Sequence, residues 1–165
     1  MEIKTVSTIV WSEIGQSLSR ETRVKVCACM GAGFCRYLAS EQSLPFSIIP
    51  SADFKDRPHG EVGLFLGWKL PEGPTGSARL EQAYNLLKDD GEARFFGWYR
   101  FPTSDDILLW ERKCGKRGAH LPLDWPPPEA ARIGEITALI KTSSFRRFSV
   151  RKRGIYYQAV LRKLK

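Results

Sequence analysis

Two stretches of the chain carry nearly the same pattern: G-E-V-G-L-F-L-G-W-K-L-P from Gly60 to Pro71, and G-E-A-R-F-F-G-W-Y-R-F-P from Gly91 to Pro102. Each reads as a β-strand stopped by proline, because apolar and aromatic residues dominate and proline cannot donate to a ladder. The segment after each strand decides the architecture. After the first, T-G-S-A-R-L-E-Q-A-Y-N-L-L-K-D-D-G puts Leu80, Ala83, Leu86 and Leu87 on one helical face, predicting a helix over 77–89 with Ser77 as cap and Gly91 as stop. After the second, T-S-D-D-I-L-L-W-E-R-K-C-G admits a short capped helix, or a strand from Ile107 to Lys113 that folds back on Phe95 to Phe101. The first choice makes two β-α units and the second an antiparallel meander. Trp68, Trp98, Tyr99 and Trp110 fall in this region and are expected to fill the core, with a base-stacking platform as the alternative use.

Upstream, V-K-V-C-A-C-M-G-A-G-F-C-R-Y-L from Val24 to Leu38 has two readings. As a strand, it sets Val24, Val26, Ala28 and Met30 on one face, and Gly31-Ala32-Gly33 then turns into a helix from Phe34 through Ala39. A second apolar run, F-S-I-I-P, leads to Asp53, which stands about where a ribose-binding acid belongs relative to the glycine turn. In this form the segment resembles the opening of a Rossmann dinucleotide-binding unit, which would imply a phosphate at the helix N-terminus. Arg36 stands where the third glycine of that motif belongs, and little chain is left for further strands. Alternatively Ser19 to Ser40 is one capped helix with Val24, Cys27, Gly31 and Leu38 on its packed face. The expectation is no bound cofactor.

Net charge is +8, and the excess is local. From Ser143 onward lie eight of the 26 basic residues and none of the 18 acidic ones, so the rest of the chain is balanced. Within S-S-F-R-R-F-S-V-R-K-R-G-I-Y-Y-Q-A-V-L-R-K-L-K, apolar and polar residues alternate on both sides of Gly154, predicting a β-hairpin over 143–165 with Arg151, Lys152 and Arg153 at a three-residue tip. Arg146, Arg147, Arg151, Lys152, Arg153, Arg162 and Lys163 would hold phosphates, and Tyr156 and Tyr157 would stack on unpaired bases. The bland use of such cations is protection of an edge strand. Ahead of the hairpin, a helix is expected to begin at Pro128 and Glu129 and to bury Ile133, Ile136, Leu139 and Ile140.

His59 and His120 are the only histidines, both in loop-like contexts, and a pair could serve acid-base cleavage of RNA. Cys27, Cys29, Cys35 and Cys114 lack metal-ligand spacing and read as reduced, packed thiols, so no metal site is expected. No apolar run is long enough to span a bilayer, and the first residues lack secretory features, so a cytoplasmic protein without a membrane partner is expected.

Together these features predict one α+β domain over 1–165, with a mostly antiparallel or mixed sheet, two to four helices, a strand from Glu2 to Trp11 and a proline-rich joint at 122–128. The expected function is non-enzymatic binding of RNA or single-stranded DNA through the basic hairpin. The alternatives are a metal-independent ribonuclease using His59 and His120, and a module docking an acidic partner protein.

Overall fold

The structure, a computed structural model, describes residues 6–117 and 126–164. Its centre is a six-stranded mixed sheet in the order β2-β1-β3-β4-β6-β5, comprising β1 (Val26–Met30), β2 (Ser47–Pro50), β3 (Val62–Trp68), β4 (Leu87–Trp98), β5 (Arg147–Arg153) and β6 (Tyr156–Arg162). The first four strands are parallel and β6 runs antiparallel between β4 and β5. Five α-helices join them among the described residues: α1 (Val6–Leu18), α2 (Ala32–Glu41), α3 (Gly73–Leu86), α4 (Ser104–Arg117) and α5 (Ile133–Lys141), with a 3-10 helix at Ser51–Asp56. The sheet is mixed, one of the two forms expected, but the fold is a single α/β domain rather than α+β, with five α-helices among the described residues where two to four were expected.

Parallel strands require crossovers, and the crossovers place helices on both faces. α1, α2 and α4 cover one face, where Ile9, Val10, Ile14 and Leu18 meet Cys27, Cys29, Leu64, Leu66 and Phe34. On the other face α3, α5 and the 3-10 helix pack Leu80, Ala83, Ile136, Ile140 and Phe54 against Ala28, Phe65, Phe95 and Tyr157. The repeated pattern becomes two neighbouring strands of this sheet, β3 and β4, each followed by a helix, as in the β-α alternative. Thr103 and Asp106 close the start of α4 reciprocally: the Asp106 N–H donates to Thr103 Oγ1 at 3.2 Å and the Thr103 N–H to Asp106 Oδ2 at 3.0 Å.

Four local expectations are corrected. The expected N-terminal strand is the helix α1, since Val6, Ile9, Val10, Ile14 and Leu18 recur at helical spacing and all are buried. The helix expected over 77–89 begins at Gly73 and ends at Leu86, because Leu87 is already paired with Val62 in β4. The last helix starts at Ile133 rather than Pro128. Residues before it are held to the sheet instead, with Ala131 bridged to Tyr99 and the Ala131 N–H donating to the Trp98 carbonyl at 2.9 Å. Between β5 and β6, Arg153 pairs with Tyr156, which leaves a two-residue turn of Gly154 and Ile155. Gly154 has φ +62° there and Ile155 is not in the left-handed region, the pattern of a type II′ turn. Of the joint expected at 122–128, residues 122–125 lie outside the described residues.

Tyr156 and Tyr157 sit inside this assembly. Burial raises the pKa of each to about 12, with Tyr157 also accepting the Leu70 N–H at 3.1 Å on its hydroxyl. The unfolded chain ionises these phenols near pH 10, so the stability present below pH 10 is lost as pH rises toward about 12. The expected result is a loss of roughly 2–3 kcal/mol per buried tyrosine across that window. Alkaline titration followed by tyrosinate absorbance checks it: these two phenols should ionise only as the protein unfolds.

Candidate active-site crevice

In an open parallel sheet, a crevice forms where neighbouring strands send their connections in opposite directions, beyond the carboxyl ends of the strands. β1 leads to β2 on one side while β3 lies on the other, so the switch falls between β1 and β3. A cavity of about 410 Å³ opens there, lined by Ser7, Trp11, Gly31 to Phe34, Trp68, Lys69, Arg79, Trp98 and Glu129. That volume lies within the range of sites for small molecules, roughly 300–1,000 Å³.

Its floor is the glycine turn. β1 ends at Met30, Gly31 adopts φ +105° and ψ 100°, and α2 starts at Ala32. A Cβ on Gly31 would stand 3.1 Å from Trp68 Cβ and 3.5 Å from the Trp68 carbonyl oxygen, so the backbone conformation favours glycine and the space beside it is tight. The Cys35 N–H is the first to find a helical acceptor, the Gly31 carbonyl at 2.8 Å, and the amides before it face out of the helix end. The strand-turn-helix reading of this segment therefore holds over the single helix.

Aromatic rings form the walls. Trp11 of α1 lies 5.6 Å from Trp68 and 5.9 Å from Phe34 between ring centroids, and Trp68 meets Trp98 edge-on at 5.1 Å. The indole N–H of Trp11 is buried and has no hydrogen-bond partner among the described residues. At the far rim, Lys69 Nζ pairs with Glu129 Oε1 at 3.2 Å. Burial opposes charge on Glu129, but its own backbone amide and the Lys69 ammonium together hold its carboxyl below the usual range. Arg79 Nη1 donates to the Lys69 carbonyl at 3.4 Å.

Asp53 lies in the 3-10 helix directly after β2, exposed, at the same end of the sheet as the glycine turn. Arg36, the departure from the three-glycine pattern, is exposed on the outer side of α2, so no third glycine is needed for α2 to pack on the sheet. Six strands also suffice to build the switch. Both sequence objections to a cofactor fold thus fall away on structural grounds.

The residues expected to act lie elsewhere. His59 is exposed in the turn before β3, at the end of the sheet opposite the crevice, and His120 lies outside the described residues. Tyr156 and Tyr157 are 7% and 2% exposed, so neither ring can stack on a base. They alternate into the two cores because β6 is an interior strand covered on both faces. Four of the seven cations expected to hold phosphates are tied to the protein. Arg146 donates to the Ser143 carbonyl and Lys152 pairs with Asp106 at 3.0 Å. Arg162 meets Glu92 at 3.5 Å, and Lys163 caps the end of α3 by donating to the Tyr84 and Leu87 carbonyls. Arg147, Arg151 and Arg153 are exposed on β5, an edge strand. Trp68, Trp98 and Trp110 are core residues rather than an open platform. Among the described residues no cluster of histidine, cysteine and acidic side chains is arranged to hold a metal ion, and no helix is long and apolar enough to cross a membrane.

No protein-family model and no curated protein sequence matches this chain. Solved structures match in fold. A SAM-dependent methyltransferase from Aquifex aeolicus aligns over 95% of this chain and 98% of its own at 11% identity, with a TM-score of 0.60. An O-methyltransferase family protein from Burkholderia thailandensis aligns over 96% of this chain and 57% of its own at 8% identity, with a TM-score of 0.57. Human N-acetylserotonin methyltransferase, solved with SAM, aligns over 97% of this chain and 54% of its own at 17% identity, with a TM-score of 0.55. The chain thus spans little more than half the length of the last two. These findings overturn the expectation of a non-enzymatic nucleic-acid-binding hairpin protein, and with it that of a metal-independent ribonuclease. The chain has a single-domain α/β fold that resembles the methyltransferase fold.

Proposed function

We propose that this chain binds S-adenosylmethionine in the switch-point crevice and catalyses methyl transfer to a small acceptor. The observation that supports it most strongly is the Gly31 turn, held open by a positive φ against Trp68 at the mouth of an aromatic-walled cavity. The residues present fit the cofactor's chemistry. The Gly31-Ala32-Gly33 backbone lets a ligand approach the strand end without a side chain between. Asp53, exposed just after β2 at the same end of the sheet, is the carboxylate that would accept hydrogen bonds from ribose hydroxyls. The Trp11, Trp68 and Trp98 rings that border the cavity suit a sulfonium cation through the negative potential of aromatic faces.

When bound, the cofactor would be held by the Gly31–Gly33 backbone and the Trp11, Trp68 and Trp98 rings, and would supply an electrophilic methyl group to an acceptor lone pair, with the thioether as leaving group. The protein's part is to align and to exclude. Its indole and phenyl walls keep water from the reacting centre, and the rigid β1–α2 turn fixes where the ligand lies, so that proximity supplies much of the acceleration.

Thermal unfolding with S-adenosylhomocysteine, NAD and adenosine tests the reading. At about 100 times its dissociation constant, a ligand of the folded state adds about 2.7 kcal/mol, or roughly 5–11 °C for a domain of this size. The expected result is that rise with S-adenosylhomocysteine. A rise with NAD alone would mark a dinucleotide site, and no rise with any of the three would overturn the proposal.

A further inference from the structure

The crevice has two chemically different ends. At one, beyond β1, stands the glycine turn; at the other, beyond β3 and β4, stand Lys69, Arg79 and Glu129, with the Trp68 and Trp98 rings between. We propose that the β3–β4 end receives the methyl acceptor, and that the acceptor is an aryl carboxylate whose anion is held by Lys69 and Arg79. This rests on the cofactor reading above, which assigns the glycine end to the nucleoside.

Three observations carry it. First, Lys69 is one of only two non-glycine residues among those described with positive φ, at +67°. Its N–H donates to the Phe96 carbonyl and its own carbonyl accepts Arg79, so the surrounding structure holds it there against its preference. Strain of that kind, on a charged side chain lining a cavity, points to a side chain that must be aimed. Glycine would relieve the strain but could not supply the ammonium.

Second, the site already takes a carboxylate. Glu129 reaches Lys69 from the segment ahead of α5, and the pair is more than two-fifths exposed on both sides, so an incoming acid can displace it. Arg79 has no ion pair among the described residues, and its guanidinium reaches only a carbonyl at the long distance of 3.4 Å. One cation is therefore held by an internal stand-in, and the second, bonded to the Lys69 carbonyl through Nη1 alone, keeps guanidinium donors with which to complete the grip on an anion. Third, the cavity wall beside this pair is aromatic: Trp68 and Trp98 border it, packed edge to face at 5.1 Å, so the apolar part of an acceptor meets ring edges and faces there rather than polar groups.

The test is calorimetric binding of benzoate, 4-hydroxybenzoate and indole-3-acetate, each against its uncharged amide, to protein saturated with S-adenosylhomocysteine. At least one acid is expected to bind about 10–100-fold more tightly than its amide, the range of a charge-assisted hydrogen bond. Lys69→Gly and Arg79→Met should each erase that preference, while Glu129→Gln should strengthen acid binding about two- to five-fold. Lys69→Gly suits the left-handed backbone at this position, so its fold is secure, and its unfolding temperature should equal or exceed that of the wild type. Equal affinity for acids and amides would overturn the proposal. So would variants that weaken S-adenosylhomocysteine but not methylthioadenosine, which lacks the carboxylate, since the pair would then serve the cofactor. If S-adenosylhomocysteine itself fails to bind, the cofactor reading and this inference fall together.

Discussion

Replacing Gly31 with alanine is expected to raise the dissociation constant for S-adenosylhomocysteine by at least about 100-fold, a loss of roughly 3 kcal/mol. Two effects combine. The backbone at φ +105° and ψ 100° is open to glycine but costs an L-residue about 1–3 kcal/mol. The added Cβ also stands 3.1 Å from Trp68 Cβ, so relieving the clash shifts either the turn or the β3 end, and both border the crevice. Calorimetry with the ligand and thermal unfolding without it separate the two contributions. Gly134→Ala is the control: it lies in α5 with nothing within 4 Å of an added Cβ, and it should be neutral or more stable by up to about 1 kcal/mol with binding unchanged. A Gly31→Ala protein that binds like the wild type would detach the glycine turn from the site.

The largest stability effect is expected at Gly76. It is buried in the first part of α3, and a Cβ there would stand 1.9 Å from the Pro71 carbonyl oxygen and 2.7 Å from Leu139 Cδ2. The leucine can swing aside, but the carbonyl belongs to the backbone that leads from β3 into α3. Gly76→Ala should therefore cost about 3 kcal/mol or more, at or beyond the upper range for overpacking, and lower the unfolding temperature by roughly 6–12 °C. The displacement reaches the crevice, because Arg79 lies further along α3 and bonds the Lys69 carbonyl. Chemical denaturation with near-wild-type midpoint would show that α3 starts differently from the geometry described.

Much of this sheet is legible in the residues. The repeated pattern reads as two strands, and both are strands, lying side by side with Leu64 beside Glu92 and Trp68 beside Phe96. The Gly-Ala-Gly segment carries its own ambiguity. Locally, Val24 to Leu38 satisfies a helical stripe as well as a strand and turn. Long-range pairing of Val26 with Ser47 and Cys27 with Leu64 decides between them, and no local pattern displays it. α1 is misread for a related reason. Val6, Ile9 and Val10 are β-branched, so propensity points to a strand while burial of a helical face, obtained only in the assembled fold, prevails.

The site is harder to read than the fold. Its residues come from α1, the β1–α2 turn, the ends of β3 and β4, α3 and the segment before α5, and only topology brings Trp11, Gly33, Lys69, Arg79, Trp98 and Glu129 to one cavity. A signal exists: the first proline-stopped strand ends in Trp68-Lys69, and a strand's carboxyl end is where a parallel sheet puts its chemistry. The basic C-terminal segment is more conspicuous, because its charges have no acidic neighbours in the sequence. In the structure, several of them close the chain's own ends and carboxylates, such as Lys163 on the last carbonyls of α3.

The central claim is that the switch-point crevice is a nucleoside site, and the most direct measurement is a crystal structure of the protein grown with saturating S-adenosylhomocysteine. The account predicts density in the cavity beside Gly31 to Gly33, with the ribose toward Asp53 and the sulfur among Trp11, Trp68 and Trp98. An empty crevice at saturating ligand, or a nucleoside bound elsewhere on the molecule, would contradict it.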